Sequence, residues 1–559
     1  GEYLALVDPQ GEVIDAFDPL PKMFDQVSYG HDGYMTRPTL GEANSRTLGV
    51  PSTGVKFETK SQTFTDPITV ELSAPNLPEG AYIGYTTNRT VPEVSLFTPP
   101  KRYEGPITIE STTQIRARVF EDGKLPSEVE TATYIKVTDE LKDWSSNLPV
   151  IVLDNDGERL PTKTRYIPTS WMILEPQATA EGGEKRTSIA QAAAMHTRAG
   201  MRTRGSSTAG NAKRSLALEA WFDDANWADK DINPLGLPAD SDWVLSGRMQ
   251  FDRALMRNPF IYEMFRQMGR WAPRTRFVEV YMNIDGDDLD EGDYFGVYTF
   301  MEKIKISDDR VQIEEADTGD DGGYIVKVDR TSGAGGDKSF SAGGDTFVWV
   351  EPQGSAVTNQ QNSGLRGYMN DAIDAMTGDD PENPETGYRA FIDTGSWIDE
   401  YLARTLTRDP DGLRLSTYLY QPINGKLFYS PIWDFDRTMG CDSDTRARDP
   451  KAWVSYFATQ GMWKNLLGTG VNRKGGEAKM PEFWQEWIDR YHKLRRTVWS
   501  EENMHSIIDS MAAEIREGQV RNFERWSSTR PPGDRSGVEF RGGDDTWEGG
   551  GVHLKGWLR

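Results

Sequence analysis

Thr407–Gly440 reads TRDPDGLRLSTYLYQPINGKLFYSPIWDFDRTMG. TYLYQP and KLFYSPIW alternate bulky and small residues on either side of Asn424-Gly425, a dipeptide that favours a tight turn, so the stretch predicts a β-hairpin. Asp409 and Asp411 precede the first strand, and Asp434 and Asp436 end the second. A hairpin returns its two ends to one place, so these carboxylates are expected to gather. Clustered carboxylates repel unless protons or cations relieve them, and a common relief is Mg²⁺ carrying a polyphosphate. The pattern points to phosphoryl transfer.

The rest of the composition sets limits. A chain of 559 residues has room for two to four domains with sizeable cores. Hydrophobic content of 37% and 17 Trp argue for folded protein and against disorder. A net charge of −24 argues against a nucleic-acid partner and for solubility or cation binding. The acid is scattered through Gly-containing loops such as Asp285–Glu291 and Asp317–Gly323, which read as solvated. The first fails the register of the DxDxDG loop, so Ca²⁺ there is the lesser reading. The single cysteine, Cys441, excludes an internal disulfide framework and a Cys-rich zinc site, and no His pairs with it to make a nucleophile. Five histidines without an HExxH-like cluster weaken a metallohydrolase reading. No apolar run approaches the roughly 18 residues that cross a membrane. The chain opens at Gly1 inside a predicted strand, as a piece of a longer protein that has lost a signal peptide would.

The expected organisation is multidomain, with two N-terminal β-sandwich modules followed by a large α+β, atypical protein-kinase-like domain. Residues 1–48 alternate strand and turn, and SYG with TLGEANS resembles the C-terminal part of a lamin-tail-like immunoglobulin-type domain. Residues 49–138 hold several short strands at regular spacing, a sandwich signature. Tyr85-Thr-Thr-Asn88, Ile107–Ala117 and Thr133-Tyr-Ile135 there resemble the chitobiase C-terminal, fibronectin-type-III-associated module. That resemblance implies an accessory spacer, with cell-surface glycan contact a lesser role. Asp139–Leu148 reads as a polar joint, and residues 149–559 as the large domain. Within it, MHTRAGMRTRGSS and AKRSLALEAWF predict paired strands, and RFVEVYMNI and YFGVYTFMEKI a second pair across the acidic loop. Helices are predicted over Phe251–Gly269, Thr394–Leu406, Pro481–Arg496 and Glu501–Trp526.

In order, these pieces follow the layout of a protein-kinase core, which needs a phosphate cradle, a cation, a hinge, a carboxylate near the acceptor and metal-binding carboxylates. Arg202-Thr-Arg204-Gly-Ser206-Ser207 is the candidate cradle and Lys213 the phosphate-contacting ammonium. Glu263 is the candidate group that orients Lys213, and Met301-Glu302-Lys303 the hinge. Asp411 is the candidate catalytic carboxylate, and Ser416 stands where a metal-binding Asn would. Asp434-Phe435-Asp436 stands where a metal-binding Asp-Phe-Gly would. Each part has a plainer counterpart: a simple turn, a solvated lysine, an Asx turn at Asp411-Gly412, and core packing for Tyr418, Tyr420, Phe428 and Tyr429. The order of the parts favours the functional reading.

Residues 150–559 resemble the CotH (spore-coat protein H) kinase family. The motifs are Arg202–Ser207 with Lys213-Arg-Ser-Leu216, Phe251–Asn258, Gly269–Glu279, Gly296–Lys303, Gly322–Lys327, Asp411–Tyr418 and Pro431–Asp436. The closing VHLKGWLR is similar to the family's end. The resemblance implies a secreted or cell-surface bacterial kinase that uses ATP with Mg²⁺ or Mn²⁺ to phosphorylate Ser or Thr on an extracytoplasmic protein substrate. It maps the catalytic and metal-binding aspartates onto Asp411 and the Asp434/Asp436 pair. TRDPDG departs from the Asn-containing stretch of many members, which makes Asp409 an alternative to Asp411. Ser416 is a weaker ligand than Asn, and the loop at 285–293 is longer than usual. A catalytically degenerate surface scaffold is therefore the competing expectation. A glycosidase with paired carboxylates is a third, disfavoured because both clusters flank one hairpin.

Overall fold

The computed structural model describes the chain except residues 1–2, 21–22, 24–27, 36–46, 52, 94–98, 179–182, 207, 224–226, 248–250, 317–321, 332–336, 442–444, 448, 452–460, 468–479 and 527–546. Seven strands form a closed barrel: β1 (Val150–Asp154), β2 (Ile167–Leu174), β3 (Met195–Arg204), β4 (Ser215–Trp221), β5 (Asp242–Ser246), β6 (Thr275–Asn283) and β7 (Tyr294–Glu302). The order around it is β1-β2-β3-β4-β5-β7-β6, and β1 pairs in parallel with β6 to close the ring. Both predicted strand pairs, β3 with β4 and β6 with β7, form.

Period-2 alternation explains why these strands read as continuously apolar. Ile151, Leu153, Trp171 and Ile173 point into the barrel. Their neighbours Val150, Val152, Met172 and Leu174 point outward, against Ile135, Val137 and Leu141. Along β7 the alternation slips, because Tyr281 pairs with Tyr294 but Val280 with Gly296, leaving Phe295 as a bulge. Phe295 and Tyr298 consequently both face the barrel interior.

The N-terminal region is β-rich. Gln62–Phe64, Tyr82–Thr86, Lys101–Arg102, Thr113–Phe120 and Glu130–Lys136 form a five-stranded sheet. Two short ribbons share its core of Val70, Leu72, Ile83, Ile115, Val119 and Tyr134. The first expected module, residues 1–48, is described only in part. Its described part is a two-stranded ribbon (Leu4–Val7 with Val13–Phe17) and a sheet of Ser28–Gly30, Gly33–Met35 and Thr47–Leu48. The Tyr29 motif lies in a strand, whereas TLGEANS lies outside the described residues.

Asp139–Leu148, expected as a polar joint, is welded to the barrel instead. Leu141 is buried in the core it shares with β1 and β2, and Thr138 N–H donates to Leu289 O at 3.0 Å. The N-terminal sheet adds contacts of its own. Arg89 pairs with Asp154 at 2.7 Å, and the Thr63 hydroxyl donates to Ile189 O. His196 sits half-buried between Thr133 (3.0 Å) and Ser170 (3.1 Å), and desolvation pushes its pKa down to about 3. A neutral imidazole between two hydroxyls suits that dry interface.

Beyond the barrel, helix α1 (Arg257–Gln267) starts later than expected. Leu255 takes a left-handed turn (φ 63°), and Asp252 accepts from Arg257 N (2.7 Å) and Nη1 (2.6 Å), so the acid lies ahead of the first helical turn. Gly269 (φ 91°) ends the helix region as predicted. A four-stranded sheet follows, in the order Ser339–Ala342, Asp345–Glu351, Tyr324–Val328, Thr417–Gln421. Helix α2 (Thr394–Thr407) is capped by Asp393, which accepts from Ser396 N at 2.7 Å. Pro481–Arg495 and α3 (Glu501–Trp526) are helical as expected, and the closing motif forms a helix over Trp547–Leu558. Among the described residues no helix is long and apolar enough to cross a membrane.

The predicted hairpin is only half realised. Thr417–Gln421 pairs along its length with Tyr324–Val328, and the returning leg touches it at one bridge, Tyr420 with Phe428. That leg turns to α2 instead: Leu427 O accepts from Trp397 Nε1 (3.2 Å), and Tyr429 N–H donates to Ser396 Oγ (3.1 Å). Pro431, without an N–H, could not continue a ladder. The ends of the stretch still meet, which positions the site.

Candidate functional site

Two adjoining cavities, about 340 and 240 Å³, lie between the barrel and α1 and share Ser246 and Asn258. The barrel wall presents Arg204 from the end of β3, Lys213 and Ser215 where β4 begins, and Val297–Thr299 with Met301 from β7. The opposite wall presents Asn258 and Tyr262 of α1 with Trp433, Asp434 and Asp436.

Helix α1 holds the aspartate segment by its backbone. Asn258 and Tyr262, four apart and so on one helix face, meet successive amides: Phe435 N–H donates to Asn258 Oδ1 (2.6 Å) and Asp434 N–H to the Tyr262 hydroxyl (3.2 Å). Arg257, buried and paired with Asp252, donates to Thr438 O at 3.0 Å. These contacts hold Asp434 at φ 71°, in the left-handed region, and Leu413 (67°), Ser416 (51°) and Met439 (52°) are left-handed too. Such conformations cost about 1 kcal/mol or more each for non-Gly residues and gather at functional sites.

The two ends of the stretch meet through side chains. The Ser416 hydroxyl donates to Asp434 Oδ2 at 3.1 Å, so the two ends of the stretch are in contact. Asp411 accepts from Arg414 Nη2 (2.6 Å) and Arg437 Nη1 (2.7 Å), which ties it to the residue after Asp436. Asp436 is buried and lines the cavity with Lys213. Lys213, 3% exposed, donates to Val297 O and Asn522 Oδ1, both at 2.6 Å, and burial pushes its pKa down to about 7. Arg204 lies over the Trp433 ring at 5.2 Å.

Several expected residues are elsewhere. Glu263 does not reach Lys213: it pairs with Arg266 (2.6 Å) and Gln267 (2.8 Å) on its own helix. Asp409 is buried beside Arg404, which also holds Glu400 at 2.9 Å. Burial raises the Asp409 carboxyl, with Arg404 and the Asp411 amide opposing. Its place is structural, because Arg404 and the chain fold over it. Of the hinge tripeptide only Met301 lines the cleft. Glu302 makes a two-pronged contact with Arg274 (2.6 and 2.9 Å), and Lys303 pairs with Asp242 at 2.8 Å. Arg202 leaves the cradle, lying over the Tyr166 ring with Nη1 on Lys163 O. Ser206 is exposed, and Ser207 lies outside the described residues. Cys441 Sγ donates to Asp436 O at 3.2 Å, a supporting contact.

Lys327, Asn258, Tyr262 and Asn522 were missed. Lys327, in the Gly322–Lys327 motif, is half-buried near Tyr418 and Arg204; desolvation would lower its ammonium, but Tyr418 and Asp329 outweigh that and leave it raised. The i, i+4 spacing of Asn258 and Tyr262 was a usable signal, whereas Asn522 carried none. Among the described residues no three His, Cys, Asp or Glu gather closely enough to hold a metal by themselves.

A family model described as CotH kinase protein matches residues 201–559, and one described as Chitobiase/beta-hexosaminidase C-terminal domain matches residues 59–131. No curated protein matches the chain. The first match spans more than half of the chain and includes the cleft's Arg204, Lys213, Asp434 and Asp436, so this chain belongs to the CotH kinase family.

Proposed function

We propose that the domain is an atypical protein kinase that transfers the γ-phosphoryl group of ATP to Ser or Thr hydroxyls of an extracytoplasmic protein. The observation that carries this reading is one cleft in which Arg204 and Lys213, from the barrel, face Asp434 and Asp436, from a segment more than 200 positions later. In this reading the barrel takes the part of a kinase's nucleotide-cradling lobe, and the helical half that of its acceptor lobe.

The residues fit Mg²⁺ or Mn²⁺ by donor chemistry. Asp434, Asp436 and the Ser416 hydroxyl supply hard oxygens, and Mg²⁺ is commonly held by one or two carboxylates with substrate phosphates and water completing its shell. That suits a site where, among the described residues, no three carboxylates gather closely enough to hold the ion by themselves. When bound, the ion neutralises charge on the polyphosphate. Lys213 and Arg204 meet the remaining phosphate charge from the barrel side. Asp411, held on both oxygens by arginines, orients the acceptor hydroxyl at the rim. Positioning and charge neutralisation then supply most of the acceleration.

A non-catalytic surface scaffold is favoured by one observation: both Asp411 oxygens are engaged by Arg414 and Arg437. Glycan contact by residues 59–131 would serve either role. Calorimetry with ATP and Mg²⁺, followed by ATP-dependent labelling, separates the readings. The kinase reading expects binding heat that requires the metal, and labelling that Asp434→Asn abolishes without changing the circular dichroism spectrum. No heat and no thermal shift at millimolar ATP would leave the scaffold.

A further inference from the structure

Lys213 is held from an unexpected direction. Its ammonium donates to Asn522 Oδ1 at 2.6 Å, and Asn522 lies on α3, 309 positions later. The same oxygen accepts from Val297 N at 3.1 Å, so one buried amide joins the lysine to the strand that carries its other acceptor, Val297 O. The helix is fastened around this contact. Arg521 grips Glu279 at 2.6 Å, Arg525 Nε donates to Tyr294 O at 2.9 Å, and Trp526 Nε1 to Phe295 O at 3.0 Å. Gly296 makes room for it: at φ 94°, a Cβ there would stand 2.4 Å from Asn522 Oδ1. The β7 bulge and the helix are thus shaped to each other at this oxygen.

We propose that Asn522 is a positioning residue for Lys213, fixing from the C-terminal helix where the ammonium stands in the cleft. The inference rests on the reading that Lys213 contacts nucleotide phosphate. It assigns Asn522 the part expected of Glu263. The chemistry of the choice matters. A neutral amide oxygen directs the ammonium without cancelling its charge, and in a desolvated pocket an uncancelled cation attracts an anion strongly. A carboxylate there would neutralise it. The other groups facing this pocket are Asp252, already engaged by Arg257, with Asp436 and the Tyr298 ring at 4.9 Å.

The test uses the full chain and two variants, Asn522→Leu, which removes the acceptor, and Asn522→Asp, which keeps an oxygen and adds charge. Thermal midpoints, kcat and KM for ATP, and the rate at which acetic anhydride acetylates Lys213, read by peptide mass spectrometry, are compared. Asn522→Leu should lose about ten- to hundredfold in kcat and acetylate faster at Lys213. Asn522→Asp should recover most of the kcat and acetylate as slowly as wild type, with a raised KM for ATP from the cancelled charge. Wild-type kinetics and acetylation in a folded Asn522→Leu would overturn the proposal. So would equal losses in both variants that track their thermal midpoints. If Asn522→Leu does not fold, a wild-type KM in Asn522→Asp overturns it and a raised KM with kcat retained supports it. If the wild type transfers no phosphate, the kinase reading falls, and acetylation alone decides: faster in Asn522→Leu supports positioning, and no change refutes it.

Discussion

Lys213 places an ammonium in a 3% exposed site, and among the described residues no carboxylate is hydrogen-bonded to it. Burial moves its pKa from 10.5 to about 7. At about 1.4 kcal/mol per unit, the folded state bears up to about 5 kcal/mol of penalty when the amine is charged. Lys213→Met removes that penalty at similar volume. It also leaves Val297 O and part of Asn522 Oδ1 without a donor, a loss of about 1–3 kcal/mol. The variant should therefore be inactive in ATP-dependent labelling yet more stable at neutral pH, by about 2–4 kcal/mol. The sign with pH follows from proton counting. Between about pH 7 and 10.5 the unfolded chain binds the proton that the folded chain has released, so this lysine's contribution makes wild-type stability rise across that window. Below it the penalty is constant. Urea unfolding of both proteins at several pH values isolates the term, since other titrations cancel in the difference. A variant less stable than wild type at pH 7, or a difference that stays constant across the window, would refute the reasoning.

Other perturbations follow from the same geometry. Asp409→Asn should destabilise by about 3–5 kcal/mol, because it leaves Arg404 buried with half its charge pairing gone; Asp411→Asn, partly exposed, should shift thermal unfolding by about 1 kcal/mol or less. The reverse order would remove Asp409 from its structural place. Arg89→Ala strands Asp154, 1% exposed, and should cost about 3 kcal/mol by denaturant titration. Deleting residues 1–138 uncovers the outward faces of β1 and β2 and should yield aggregating protein on size-exclusion chromatography; a monodisperse product with the wild-type melting midpoint would contradict the welded interface. Gly296→Ala, placing a Cβ against Asn522 at φ 94°, should destabilise by about 2 kcal/mol or more and speed Lys213 acetylation as Asn522→Leu does.

Local pattern carried a good deal of this protein. Alternation in MHTRAGMRTR and SLALEAW, and in TRFVEVYMN and YFGVYTFME, was enough to pair β3 with β4 and β6 with β7, because period-2 burial is written into adjacent residues. The same holds for α2 and α3, whose apolar spacing is helical. Helix α1 was placed too early because Asp252, which looks like a first-turn acid, instead pairs with the Arg257 side chain across a left-handed Leu255. The acidic ends of the Thr407–Gly440 stretch met as expected, though through one bridge and a Ser416–Asp434 contact and not through a full ladder.

What the amino-acid order determined alone was part of the inventory: the strand pairs β3–β4 and β6–β7, four of the helices, and that Lys213, Arg204, Asp434 and Asp436 are candidates for one charged site. What only the tertiary structure decided was the company each keeps. The parallel closure of β1 on β6, the left-handed backbone at Asp434 and the reach of Asn522 to Lys213 depend on contacts between segments tens to hundreds of residues apart. Periodicity reports a residue's relation to its neighbours in the chain, and the free energy of a buried ammonium is set by whatever the fold brings against it.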